Sequence, residues 1–193
     1  MGLILLLMIN FKGGIGLTWG YYSPSLDSLN SWLHNNHKER ELRTTSMVVG
    51  GAVRIEPAKF LAIEISGDYY KGRSPDDVRS LFLIPIDVYL TYKYVIFPVY
   101  MFSYIGGGFD LCFTEYRDSK FIGESRVTQW GLGPIVKVGL EFVPTPRFGC
   151  EISVGWRFMK IPDIGMRDPN TGNNIPLQLS GGYLRVSVER IFR

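Results

Sequence analysis

Two cysteines and two histidines are all that this 193-residue chain offers of the side chains most used as nucleophiles, bases and soft metal ligands. Cys112 and Cys150 lie far apart, without the spacing of a zinc or redox motif. They are read as small apolar fillers that form no disulfide. Charge of one sign is scarce too. The formal net charge is +3 and charged residues make up 20% of the chain, too weak a balance for a nucleic-acid surface. No stretch reaches the roughly 18 to 20 apolar residues that a membrane-crossing helix needs. The longest apolar piece, GLILLLMIN at 2–10, lacks a basic flank and a clean small-x-small cleavage site. Residues 1–10 are read as the end of a secretory leader, with an apolar extension of the first strand as the other reading. Residues 11–193 form one domain of ordinary size.

What the chain does have is glycine, 22 residues of it, and aromatics at 14%. Both suit strongly curved β-strands. The segment RFGCEISVGWRF at 147–158 shows the pattern best. Phe148, Cys150, Ile152, Val154, Trp156 and Phe158 leave one face, while Arg147, Glu151, Ser153 and Arg157 leave the other. A period of two is a strand.

Eight such runs can be marked, at 11–22, 46–56, 59–70, 80–92, 99–113, 126–143, 147–160 and 179–192. The links between them alternate short and long. PA, KYVIFP and PTP are short, and the other four are longer. The only helical pattern lies within 25–41, where Leu26, Leu29, Trp32 and Leu33 share a face. The expectation is an all-β fold, an eight-stranded antiparallel up-and-down barrel with its long loops gathered at one end.

The two faces differ sharply. One is almost uncharged and includes Ile15, Leu17, Val53, Ile63, Ile65, Ile86, Val88, Val136, Val138, Leu140 and Val188. The other mixes glycine, serine, threonine and tyrosine with charges of both signs. Its charged members are the cations Lys12, Arg54, Lys137, Arg157 and Arg185 and the acids Glu64, Asp68, Asp87, Glu141, Glu151 and Glu189, together with Lys93 and Asp110. A soluble, lipocalin-like barrel would turn the charged face to water. A wet exterior is usually rich in lysine and glutamate, however, whereas small residues with few, balanced charges suit a narrow interior. The runs also match the height of a tilted strand crossing a bilayer. Aromatics gather at run ends, with Trp19, Tyr21, Tyr69, Tyr70, Trp130, Trp156 and Phe158 toward the long loops, and Phe11, Tyr92, Phe142, Phe148 and Phe192 toward the short turns. Two such girdles are expected where a barrel meets the membrane boundary. The apolar face is therefore expected to meet lipid.

GIGLTWGYYSPS, YMFSYIGGGFDL, GPIVKVGLEFVPTPRFGCEISVGWRF and the closing strand with Phe192 resemble the small outer-membrane β-barrel proteins of Gram-negative bacteria, over about residues 11 to 193. That resemblance implies a bacterial outer-membrane location, short turns in the periplasm and long loops outside. It implies as partners the lipid bilayer, lipopolysaccharide and the outer-membrane assembly machinery, which reads a terminal aromatic strand. Here Arg193 follows Phe192, a departure from that signal. The resemblance says little about activity, since that group also includes conduits and a few lipid-modifying enzymes. No cofactor, no catalytic or metal-binding residues and a monomer are expected from the residues themselves. The role expected is structural or interactive at the cell surface, and non-enzymatic.

Other chemistry is thinner. His34 and His37 are better read as loop residues than as ligands or bases, because no cysteine or nearby aspartate completes a site. A His–Asp–Ser set with Ser74, Asp76 and Asp77 would suit a lipid-modifying barrel but matches no motif of those enzymes. A conduit for a small hydrophobic molecule is the alternative. Glycines 106–108 and the GLGP at 131–134, with Pro85, would permit bulges and a lateral gap beside the fifth and sixth strands. The same glycines are better read as relieving barrel curvature.

Overall fold

The computed structural model describes residues 12–37, 42, 46–75, 78–97, 100–118, 126–163 and 172–192. Residues 1–11, Glu39, Glu41, Asp76, Asp77 and the side chains of Trp32 and His37 lie outside the described residues, and so do the readings placed on them.

Eight antiparallel strands close into a barrel. They are β1 (Lys12–Pro24), β2 (Ser46–Ala58), β3 (Leu61–Arg73), β4 (Arg79–Phe97), β5 (Met101–Asp118), β6 (Arg126–Thr145), β7 (Phe148–Arg157) and, after two short strands, β10 (Gly181–Phe192). Each pairs with its neighbour in the meander, and β10 returns to pair with β1, from Gly13↔Phe192 to Pro24↔Gly181. Closure leaves no edge strand in the barrel.

Two expectations need correction. KYVIFP was expected to be a link, yet β4 continues through Phe97 and β5 begins at Met101. Alternation persists there: Lys93 is buried inward while Tyr94 is exposed. Bulges were expected near Pro85 and Pro134, each without a ladder donor, while the glycine stretches were read as relieving barrel curvature. The β5–β6 ladder instead keeps one register from Met101↔Phe142 to Arg117↔Arg126. Register shifts fall at Ile55/Ala58, Val95/Phe97 and Phe142/Thr145, beside the short turns. Pro85 has no N–H to give, and the β3–β4 bridges lapse between Gly67↔Ile86 and Tyr70↔Leu83 without changing register.

The described parts of the first and last long loops build a second layer over one end of the barrel. Helix α1 (Asp27–His37) carries Asp27 in its first turn, where a carboxylate favours the helix start. Leu26, Leu29 and Leu33 are completely buried beneath it. They pack in one core with Leu42, Tyr70, Leu81 and Leu83 and with Met159, Ile161, Leu177 and Leu179 of the last loop. That loop folds back as a two-stranded ladder, β8 (Lys160–Ile161) with β9 (Leu177–Gln178). The Asn30 side chain holds both backbone groups of Leu42, accepting from its N–H at 2.9 Å and donating to its carbonyl at 3.3 Å.

The barrel is inside out relative to a water-soluble one. Leu17 is 71% exposed and Ile152 56%, whereas Glu64, Lys137 and Arg157 are 1% exposed. An apolar surface this continuous is far larger than a soluble monomer tolerates, and it faces outward on all eight strands.

Candidate functional site

Alternation alone directs the charged face inward, and register decides which charges meet. Arg54↔Glu64 and Glu141↔Glu151 are cross-strand neighbours, so like charges opposite one another need cations from across the lumen. Arg54 supplies one. Its guanidinium reaches Glu64, Glu141 and Glu189, each at 3.1 Å, and also contacts Glu151. Lys137 Nζ lies 2.7 Å from Glu64 and 3.4 Å from Glu151. Arg185 donates to Glu64 at 2.6 Å and to the Ser66 hydroxyl at 2.7 Å.

Nearer the long loops a second group forms around Arg157. It contacts Asp87 at 2.7 Å, Asp110 at 3.2 Å and Asp68 at 3.3 Å. Thr18 adds a hydrogen bond to Asp68 at 2.9 Å. Nearer the short turns, Lys93 bridges Glu141 at 2.5 Å and Glu56, which also pairs with Lys12 at 3.4 Å. Lys12 keeps 31% of its side chain exposed and stands at the rim, not within the lumen. Two cavities of about 250 and 310 Å³ open at this mouth, both lined by Lys12 and Phe102.

Inward tyrosines complete the packing, and sequence reasoning passed over them. Lys137 Nζ sits 4.4 Å from the Tyr89 ring centre and 5.1 Å from that of Tyr104. Arg157 lies between the rings of Tyr22 and Tyr183, at 4.8 and 4.9 Å. The Tyr89 and Tyr183 hydroxyls share a hydrogen bond at 2.8 Å. Tyr70, expected in the outer girdle, is fully buried against Tyr22 at 5.6 Å, because it directly follows the outward Tyr69. The phase was the available signal: Tyr183 alternates in step with Arg185, Ser187 and Glu189.

One carboxylate oxygen each from Glu64, Glu151 and Glu189 falls within 4.8 Å of the others, a grouping that could attract a metal ion. Arg54 touches all three, so its guanidinium already occupies the place of the cation. His34 is exposed on α1. Ser74 is buried, and its hydroxyl accepts the Arg79 N–H at 3.1 Å, at the base of the β3–β4 loop. Both cysteines are free, with Cys112 buried and Cys150 on the outer face.

Outside, Trp19, Tyr21, Tyr69, Trp130 and Trp156 are exposed toward the long-loop end, and Phe142, Phe148 and Phe192 toward the short turns. Tyr94, Phe97 and Tyr100 add to the short-turn set.

No protein-family model matches the chain, and no curated protein does. Solved structures do match in fold. Neisserial surface protein A superposes with a TM-score of 0.61 at 15% identity, covering 93% of this chain and 96% of that one. OprG from Pseudomonas aeruginosa gives 0.60 at 12%, covering 94% and 96%. Ail of Yersinia pestis, solved in complex with the heparin analogue sucrose octasulfate, gives 0.58 at 12%, covering 95% and 100%. The likeness is one of fold: a closed eight-stranded barrel of the outer-membrane type.

Proposed function

We propose that this barrel, which has the fold of small outer-membrane proteins, is an integral monomer of a bacterial outer membrane that works through its surface, without catalysing a reaction or conducting solute. The observation that carries this reading is the filled lumen. Pairs such as Arg54–Glu141, Lys137–Glu64, Arg157–Asp87 and Arg185–Glu64 join opposite walls of the barrel, and an apolar core under α1 lies over them. Eight strands leave room for side chains but not for a channel. The ladder beside the glycine-rich β5 and β6 is continuous, which weighs against a lateral conduit there.

In this reading lipid tails cover the apolar belt, and the exposed aromatics at its two ends anchor it at the water boundaries. Lys12, Glu56 and Lys93 then face the periplasm, α1 and the last loop face outward, and lipopolysaccharide surrounds the long-loop end. The closing strand with Phe192 is the segment the assembly machinery would engage.

Two measurements test it. The folded chain should run as a compact band in unheated SDS and shift on boiling, and in planar bilayers it should show no stepwise conductance. Steady channels from the wild-type chain would overturn the closed-lumen reading.

A further inference from the structure

The short-turn mouth of the barrel holds more positive charge than its own carboxylates take up. The first cavity there, of about 250 Å³, is lined by the ammonium groups of Lys12, Lys59 and Lys93 against the single carboxylate of Glu56. Lys93 is spent, because it bridges Glu56 and Glu141 and keeps only 5% of its side chain exposed. Lys12 is not. Its Nζ stands 3.4 Å from Glu56, a carboxylate that Lys93 already holds, and 31% of its side chain is exposed. Lys59 is exposed on the β2–β3 turn, with its ammonium 5.4 Å from the centre of the Phe60 ring.

The second cavity, of about 310 Å³, lies alongside and shares Lys12 and Phe102 with the first. Tyr100, Val143, Pro144 and Pro146 make its other walls largely apolar. These walls are set before any ligand arrives. The Val143 N–H donates to the Tyr100 carbonyl at 2.8 Å, and the Lys93 N–H donates to the Phe60 carbonyl at 2.8 Å. The Thr145 hydroxyl accepts the Phe148 N–H at 3.2 Å, between two prolines whose φ is fixed. Pinned walls lower the ordering cost of binding.

Unspent ammoniums beside a rigid apolar hollow suit a small anion with an apolar body. The cations are lysines, without the planar fork of arginine, so one carboxylate fits them better than a phosphate. Approach is from water. The cavities sit inside the ring of strands, away from the lipid belt, and a long aliphatic tail would enter that belt instead. The free carboxyl end of a peptide, with an apolar last side chain, meets both conditions.

We propose that the short-turn mouth binds the carboxyl terminus of a short, apolar-ended peptide. Lys12 and Lys59 hold the carboxylate, and the terminal side chain packs against Phe102 and Val143. This rests on the membrane reading above, which turns the mouth to the periplasm, and adds a site to it.

The test uses the full chain in detergent micelles and acetyl-Ala-Ala-Leu with a free carboxyl end, followed by amide NMR and calorimetry. Amide signals should shift at Lys12, Ala58, Lys59 and Phe102 and stay in place at the long-loop ends of the strands. The same peptide with an amidated end should bind about ten-fold more weakly, the worth of one charge-assisted hydrogen bond. Lys12→Gln should weaken binding of the acid to that level. Lys59→Gln should lose about three-fold, as for an exposed ion pair, and it carries the test if Lys12→Gln does not fold. Equal affinity for acid and amide, equal affinity of variants and wild type, or octanoate binding as tightly as the peptide would each overturn the site. Failure of the membrane reading would look different: the wild-type chain would show no mobility shift on boiling and would stay monodisperse without detergent.

Discussion

At the residue scale, the interior is governed by what a buried charge needs. Lys137 has almost no exposure, and it stands between Glu64 and Glu151 with two rings against its ammonium. Removing one partner of such a set costs about 3–5 kcal/mol, because the remaining charges stay buried and uncompensated. Lys137→Met is therefore expected to lower unfolding stability in lipid vesicles by about that much, read from urea titration of tryptophan fluorescence. Adding Glu64→Gln should make the double variant less unstable than the sum of the two singles, since one orphaned carboxylate is gone. Close approach sets another limit. A Cβ at Gly155 would fall 2.3 Å from the Tyr183 hydroxyl and 2.4 Å from the Val136 carbonyl. Gly155→Val should accordingly reduce the yield of the compact unboiled band. The alternating phase placed Arg54, Glu64 and Arg185 on the inward face from sequence alone. It could not say which carboxylate each would meet, since partners such as Arg54 and Glu189 are joined only by closure of the barrel. Tyr70 shows that phase, not aromatic type, decides the face: it is buried while its neighbour Tyr69 is exposed.

At the scale of elements, the strands were legible and the loops were not. A half-buried strand repeats every two residues whatever its neighbours do, so β2, β6 and β10 begin or end within a few residues of their runs. The spacing of Leu26, Leu29 and Leu33 gave the helix. What it covers depends on Leu42, Met159, Ile161, Leu177 and Leu179, which no local pattern connects to it. The short β8–β9 ladder left no periodic trace, because two residues a side are too few to show one. The cap is apolar, so its stability is that of a small core. Leu29 is wholly buried in it, and Leu29→Ala is expected to cost about 2–5 kcal/mol locally. Faster hydrogen exchange across α1 and residues 175–179, with the boiling shift of the barrel unchanged, would check this. Equal protection in both proteins would mean that the helix does not seal the long-loop end.

At the scale of the whole molecule, one partition makes the fold self-consistent: apolar groups outward, ions paired within. Val138 shows what that demands of the surroundings. Its ladder partners are Ile105 on β5 and Val154 on β7, and all three are exposed, Val138 at 47%. In water, an arginine at so exposed a site would change stability by only about half a kcal/mol either way. Against hydrocarbon the same charge has no solvent and costs about 2–4 kcal/mol near the bilayer midplane, falling toward zero at the interface. Val138→Arg should thus destabilise the folded chain in phosphatidylcholine vesicles by the larger amount. Thr128→Arg, on the same face of β6 beyond Trp130, should cost little. The contrast between two outward positions on one strand isolates the depth of the lipid, because backbone and neighbouring ladders are shared. Equal small effects at both positions would mean that water, not lipid, wets the belt, and the inward charges would then need another explanation.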